Sequence, residues 1–173
     1  MKKPIYLLMV ALVLTACQQT QRYTQQSPEI DAVKALFAAY ESGELESQRP
    51  FYAETAEIYY NVPESKPATF DETLSKQTME IAGYSEYSIE FDDDGIEMVV
   101  TDKGETWVNV WGEWQGTMKA TGQKFVVPMH ETFQFVDGKI VKEFGYWDNS
   151  EIMAAFMELE AAQMAPADSI PEK

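Results

Sequence analysis

Cysteine occurs once in the 173 residues, at Cys17, histidine once, at His130, and arginine twice, at Arg22 and Arg49. A single cysteine excludes an intramolecular disulfide, so the fold holds together without a covalent staple. A single histidine leaves a His-based metal centre or a Ser–His–Asp triad unsupported, and no metal or cofactor is expected. Few arginines, with 13 basic against 29 acidic side chains and a net charge of −16, exclude a phosphate-tracking nucleic-acid surface. Glycine-rich phosphate loops, heptad runs and internal repeats are also missing, which removes nucleotide cradles, coiled coils and solenoids. What remains is a chain 45% apolar, too hydrophobic for a disordered acidic tail and long enough for one domain.

The N-terminus reads as an address. Lys2 and Lys3 precede an apolar run from Ile5 to Leu14, which leads into Leu14-Thr15-Ala16-Cys17. The run is shorter than the roughly 20 residues a membrane-spanning helix needs, and it has the three parts of a secretory signal in order. Its ending resembles the bacterial lipobox. That resemblance implies cleavage before Cys17 and acylation of its thiol, which also spends the only thiol available to the body of the fold. Loss of residues 1–16 leaves 11 basic against 29 acidic side chains, a net −18. Attachment to a membrane would then rest on acyl chains rather than on charge. Gln18 stands where an aspartate would signal inner-membrane retention, so an outer-membrane lipoprotein facing the periplasm is expected. Residues 17–27 read as a polar tether and 164–173 as a flexible tail.

Between them, residues 28–163 form the expected domain. Ser27-Pro28-Glu29 opens a helix with a serine cap and a proline at its first position, and Ile30, Val33, Phe37 and Tyr40 recur along one side before Gly43. Leu45 to Phe51 suggests a short second helix, and Tyr52 to Val62 a strand. Thr69-x-x-Glu72 is a capping box opening a helix to Ile81. From residue 84 the hydrophobic period becomes two. Strands are predicted at 86–91, 96–101, 106–118, 124–136 and 139–147, separated by Asp-Gly, Lys-Gly, Thr-Gly and Asp-Gly turns that imply an antiparallel meander. A helix from Ser150 follows. Helices first and one antiparallel sheet after make an α+β fold.

Three segments carry a resemblance: GTMKATGQKF (116–125), FQFVDGKIVKEFGYWD (133–148) and the helix opening SEIM. Together with Phe51-Tyr52-Ala53 and the first helix, they resemble the SnoaL-like branch of the nuclear-transport-factor-2-like superfamily. The resemblance implies a cone-shaped α+β barrel, with N-terminal helices packed in a strongly curved antiparallel sheet, a pocket between them and a C-terminal helix. It also implies a homodimer joined through the backs of the sheets. Members range from polyketide cyclases and ketosteroid isomerase to pure binding modules, so function must be argued from the site.

Asp148 matches the Tyr-x-Asp acid/base of the cyclase branch, where Phe144, Tyr146 and Trp147 would desolvate its carboxyl. It also stands, with Ser150, where a helix cap belongs. His130 and Tyr146 are its candidate orienting donors. The Asp137-Gly138 turn decides which side chains reach the pocket. A two-residue turn puts Met129, Glu131, Phe133 and Phe135 on the face carrying Tyr146 and Asp148, whereas a three-residue bulged loop brings His130 round instead. Trp107 and Trp111 share one strand face and Trp114 takes the other. With Phe37, Tyr40, Tyr60 and Phe144, these aromatics line a pocket or fill a core. Asp92-Asp93-Asp94-Gly95 lacks the position-12 glutamate of a calcium loop and reads as a charged turn. The leading expectation is a binder of a small apolar or aromatic molecule. A cyclase- or isomerase-like enzyme using Asp148 comes second, and an envelope subunit recruiting a partner through its sheet back third.

Overall fold

The computed structural model describes residues 22–164. The expected signal segment, the Cys17 anchor, the start of the tether and the tail from residue 165 lie outside the described residues. Among the described residues no helix is long and apolar enough to cross a membrane.

Helix α1 spans Pro28–Ser42. The Ser27 hydroxyl accepts the Ile30 N–H at 3.2 Å and fixes its start. Ile30, Val33, Leu36 and Phe37 are buried along one side. A 3₁₀ helix, Leu45–Phe51, turns the chain into strand β2, Tyr52–Tyr60. Helix α2, Phe70–Ile81, opens on the expected capping box, with Thr69 and Glu72 bonding each other's backbone N–H. Strands β3 (Tyr84–Glu90), β4 (Ile96–Val100), β5 (Thr106–Met118), β6 (Lys124–Val136) and β7 (Lys139–Trp147) follow, and helix α3 (Ser150–Met164) closes the fold.

One curved, open sheet runs β1-β4-β5-β6-β7-β2, where β1 is Tyr23–Thr24 and β3 pairs with β5. All pairs are antiparallel except β2 with β7. The concave face closes on α1, where Ile30, Val33 and Phe37 pack with Val108, Val110, Phe133, Phe135 and Ile140. A second cluster of Tyr84, Met118 and Phe125 receives Ala155 and Phe156 of α3.

Three expectations need correction. The stretch containing Tyr23 and Thr24, read as tether, instead pairs with Val99 and Met98. An edge strand offers unpaired backbone groups, and even a polar segment can take them up. Next, β3 and β4 do not form a hairpin with each other. Both pair with β5, β3 along residues 113–118 and β4 along 106–110, so Asp92–Gly95 is an excursion from one broken edge strand. The third correction shapes the site. The Asp137-Gly138 turn has positive φ at both residues, 51° and 73°, as a two-residue type I′ turn requires. Val136 accordingly faces Lys139, yet Phe135 faces Ile140 while Gln134 faces Lys142. Val141 is therefore an extra, bulged residue, and every β7 side chain beyond it swings to the opposite face.

Candidate functional site

A cavity of about 740 Å³ lies between the concave sheet, α1, α2 and α3. Leu36, Phe37 and Tyr40 of α1, Tyr60 of β2, Trp114 of β5 and Trp147 of β7 form its aromatic and apolar wall, and Ile152 and Phe156 of α3 border it. The two indoles have room because glycines lie beneath them. A Cβ on Gly116 would come within 2.2 Å of Trp114 Cη2, and one on Gly145 within 2.4 Å of Trp147 Cζ3 and 2.8 Å of Tyr60 Cδ1. Trp114 Nε1 donates to the Tyr40 hydroxyl at 3.0 Å, which fixes the ring across the cavity.

The inward row of β6 reads Phe125, Val127, Met129, Glu131, Phe133, Phe135, one acid among apolar side chains. Glu131 lines the cavity, is only 8% exposed, and its carboxyl makes no hydrogen bond to any described residue. Opposite it is Gly145, and Glu143 faces Phe133, so the two glutamates are diagonal neighbours on the concave face. Glu143 is completely buried and held from both sides. The Tyr52 hydroxyl donates to its Oε2 and the Tyr60 hydroxyl to its Oε1, each at 2.6 Å.

Burial sets the electrostatics. It pushes the Glu131 carboxyl well above the ordinary carboxylate range, and the charge of Glu143 pushes it further. Burial also lifts Glu143, to about 7, while its two tyrosine donors hold it down. Burial thus favours the protonated form of both carboxyls, and the two O–H groups that meet Glu143 favour negative charge there over Glu131. A protonated acid facing an apolar hollow can donate a hydrogen bond or exchange a proton with whatever fills the hollow.

Of the side chains singled out from the sequence, Phe37, Tyr40, Tyr60 and Glu131 line this cavity. The three expected acid–base residues do not. Asp148 is exposed, and its Oδ1 accepts the Ser150 N–H at 2.9 Å. That bond holds its carboxyl below the ordinary range and serves the start of α3. Tyr146 is 50% exposed on the convex face, because the Val141 bulge reverses β7. His130 pairs with Tyr146 on that same face and donates from Nδ1 to the Val110 carbonyl at 2.9 Å. Trp111 stacks on His130 at 4.9 Å, and Phe144 stacks on Tyr59 at 4.7 Å with Trp107 beside it, all outside the cavity. The bulge thus exchanged Phe144 and Tyr146 for Glu143 and Trp147. Tyr52 and Glu143 escaped the sequence reading because an acid two residues from Val141 looks solvent-facing until the bulge is known.

A curved, open sheet wrapped on N-terminal helices around a hollow defines a nuclear-transport-factor-2-like fold. The family profile "SnoaL-like domain" matches residues 33–143, and the chain belongs to that family. Residues 1–18 match the prokaryotic membrane lipoprotein lipid attachment site, which makes this a membrane-anchored protein of the cell envelope. No curated protein matches the chain. Among solved structures, IdmH from Streptomyces antibioticus, a candidate polyketide cyclase, is 23% identical with a TM-score of 0.59, covering 76% of this chain and 99% of its own. PrhC from Penicillium brasilianum is 15% identical with a TM-score of 0.65, covering 81% and 93%. A candidate SnoaL-like polyketide cyclase from Jannaschia is 14% identical with a TM-score of 0.59, covering 80% and 95%. At these identities the likeness establishes the fold.

Proposed function

We propose that this lipoprotein binds a small apolar or aromatic molecule in its cone, with Glu131 as the polar group that meets the ligand. One observation carries the reading. Glu131, a residue only 8% exposed, opens its carboxyl, without a protein partner among the described residues, to a cavity of about 740 Å³ walled by aromatic rings. Desolvating such a group costs on the order of 1–3 kcal/mol, which a ligand's hydrogen bond recovers. Acylated Cys17, followed by Gln18, holds the domain on the outer membrane facing the periplasm. The convex face, with Trp111 49% and Tyr146 50% exposed, is the surface on which two copies pair. Native mass spectrometry of the full chain from its own host tests the binding reading. A retained small molecule supports it, and an empty protein that no apolar aromatic stabilises against heat refutes it.

The neighbouring acids Glu131 and Glu143 favour a second reading, an enzyme of cyclase or isomerase type with Glu131 as general acid/base in place of the exposed Asp148. Glu131→Gln keeps a hydrogen-bonding amide but cannot move a proton. An enzyme would lose turnover by at least about a hundredfold, whereas a pure binder would lose at most about tenfold in affinity.

A further inference from the structure

We propose that the ligand of this cavity carries a cationic nitrogen: the cone is built for a hydrophobic amine or quaternary ammonium ion, its body against the aromatic wall and its charge above Glu131. The inference rests on the ligand-binding reading and names the class of ligand. Its first support is charge. The two glutamates lie side by side on the concave face, and among the described residues neither has a Lys, Arg or His within salt-bridge distance. Burial disfavours the ionised form of such carboxyls unless a counter-ion meets them, and a cationic ligand would supply the counter-ion that a neutral one cannot. The second support is the wall. Tyr40, Tyr60, Trp114 and Trp147 all line the same space, and aromatic rings, whose faces carry negative quadrupole density, are the side chains that hold organic cations well.

Every group that meets the pair agrees in sign. Tyr52 and Tyr60 of β2 donate to Glu143, and Tyr40 of α1, which lines the same cavity as Glu131, has its hydroxyl pushed up by burial and stays neutral. The cavity rim balances Lys66 and Lys76 against Glu72 and Glu80, so it sets up no barrier to a cation. A metal ion is a poorer fit, because no group of three or more carboxylate, histidine or cysteine ligands exists among the described residues. A soft organic cation uses both halves of the site, the charge and the rings.

The test compares benzyltrimethylammonium with neopentylbenzene, its neutral isostere, on the full chain in nonionic detergent, with micelles alone as blank. Binding is read by tryptophan fluorescence and calorimetry. At about pH 8 the cation should bind about thirtyfold more tightly than the isostere, and the ratio should fall to about threefold or less near pH 5, where the pair is protonated. Calorimetry in two buffers of different ionisation enthalpy should read release of about half a proton or more near pH 7, a measurement that needs no variant. The double variant E131Q/E143Q should collapse the ratio at every pH. Equal binding of the two probes, or a ratio indifferent to pH, overturns the proposal. Binding of neopentylbenzene alone overturns the cation class and leaves the ligand-binding reading intact. A folded protein that binds neither probe removes both.

Discussion

Between about pH 5 and about pH 8 the folded chain must ionise carboxyls that its own burial keeps protonated, and this should make it less stable as the pH rises. Glu143 ionises near 4.5 when exposed and at about 7 in the fold. Through that window the native state holds more protons than the unfolded state, so the stability contributed by the pair is present at low pH and lost as the pH climbs. A rise from 4.5 to about 7 at a fully buried site corresponds to about 3 kcal/mol, and Glu131, raised further still, adds to it in the same direction. For a domain of this size that is a fall of roughly 6–12 °C in Tm. Exposed groups held below their ordinary range, Glu72 and Asp148, act with the opposite sign but below about pH 4.5, outside the window. The assay is urea denaturation of the full chain at half-unit steps from about pH 5 to about pH 8, run beside E131Q/E143Q. Overall acidity makes both proteins less stable at high pH, so the difference between their slopes isolates the pair. Parallel slopes, or a wild-type protein that gains stability with pH, would refute the burial argument and the charge assignment built on it.

Further outcomes follow from single contacts. Tyr60→Phe removes one donor from Glu143, so the apparent titration of the pair should move up; about 1.5–3 kcal/mol of stability should be lost at about pH 8 and much less near pH 5, measured by urea denaturation at both values. Gly145→Ala puts a methyl group 2.8 Å from Tyr60 Cδ1 and 2.4 Å from Trp147, and should cost about 1–3 kcal/mol together with a change in tryptophan fluorescence. Gln48 is buried with its Nε2 unpartnered among the described residues, so Gln48→Met should stabilise the fold by about 1 kcal/mol in the same assay. Asp148→Ala should lower Tm modestly through its lost bond to the Ser150 N–H and leave affinity for a cavity ligand unchanged, checked by scanning calorimetry and titration.

Much of the architecture was legible because it is written in local chemistry. Ser27-Pro28 and Thr69-x-x-Glu72 place two helix starts, and period-two alternation places β5, β6 and β7 at the bounds the structure has. Positive-φ residues at Asp137-Gly138 fix the hairpin. What stayed hidden depends on distant partners. Nothing in Tyr23-Thr24 announces an edge strand, since its reason is the exposed edge of β4. The Asp92–Gly95 turn looks like a hairpin turn, and only the length of β5 reveals that β3 and β4 share one partner.

The site shows where such reading stops and why. In β6 the sequence left two rows open, one with Glu131 inward and one with His130, and the two-residue turn at Asp137-Gly138 selects the row in which a single acid, Glu131, interrupts five apolar side chains. In β7 the two possible rows are Lys142, Phe144, Tyr146 and Glu143, Gly145, Trp147, each with one charged residue and at least one aromatic ring. Hydrophobicity cannot choose between them; the Val141 bulge does. Without the bulge, Lys142 would stand inside beside Glu131, a salt bridge would neutralise the floor, and the cavity would have no use for a polar ligand. With it, Lys142 points outward, 3.8 Å from Glu57, and Glu143 comes in to meet Tyr52 and Tyr60. One inserted residue thus takes a lysine off the concave face and brings in an acid held by two tyrosines beside Glu131, and the chemistry open to this protein follows from that displacement more than from any residue type in the strand.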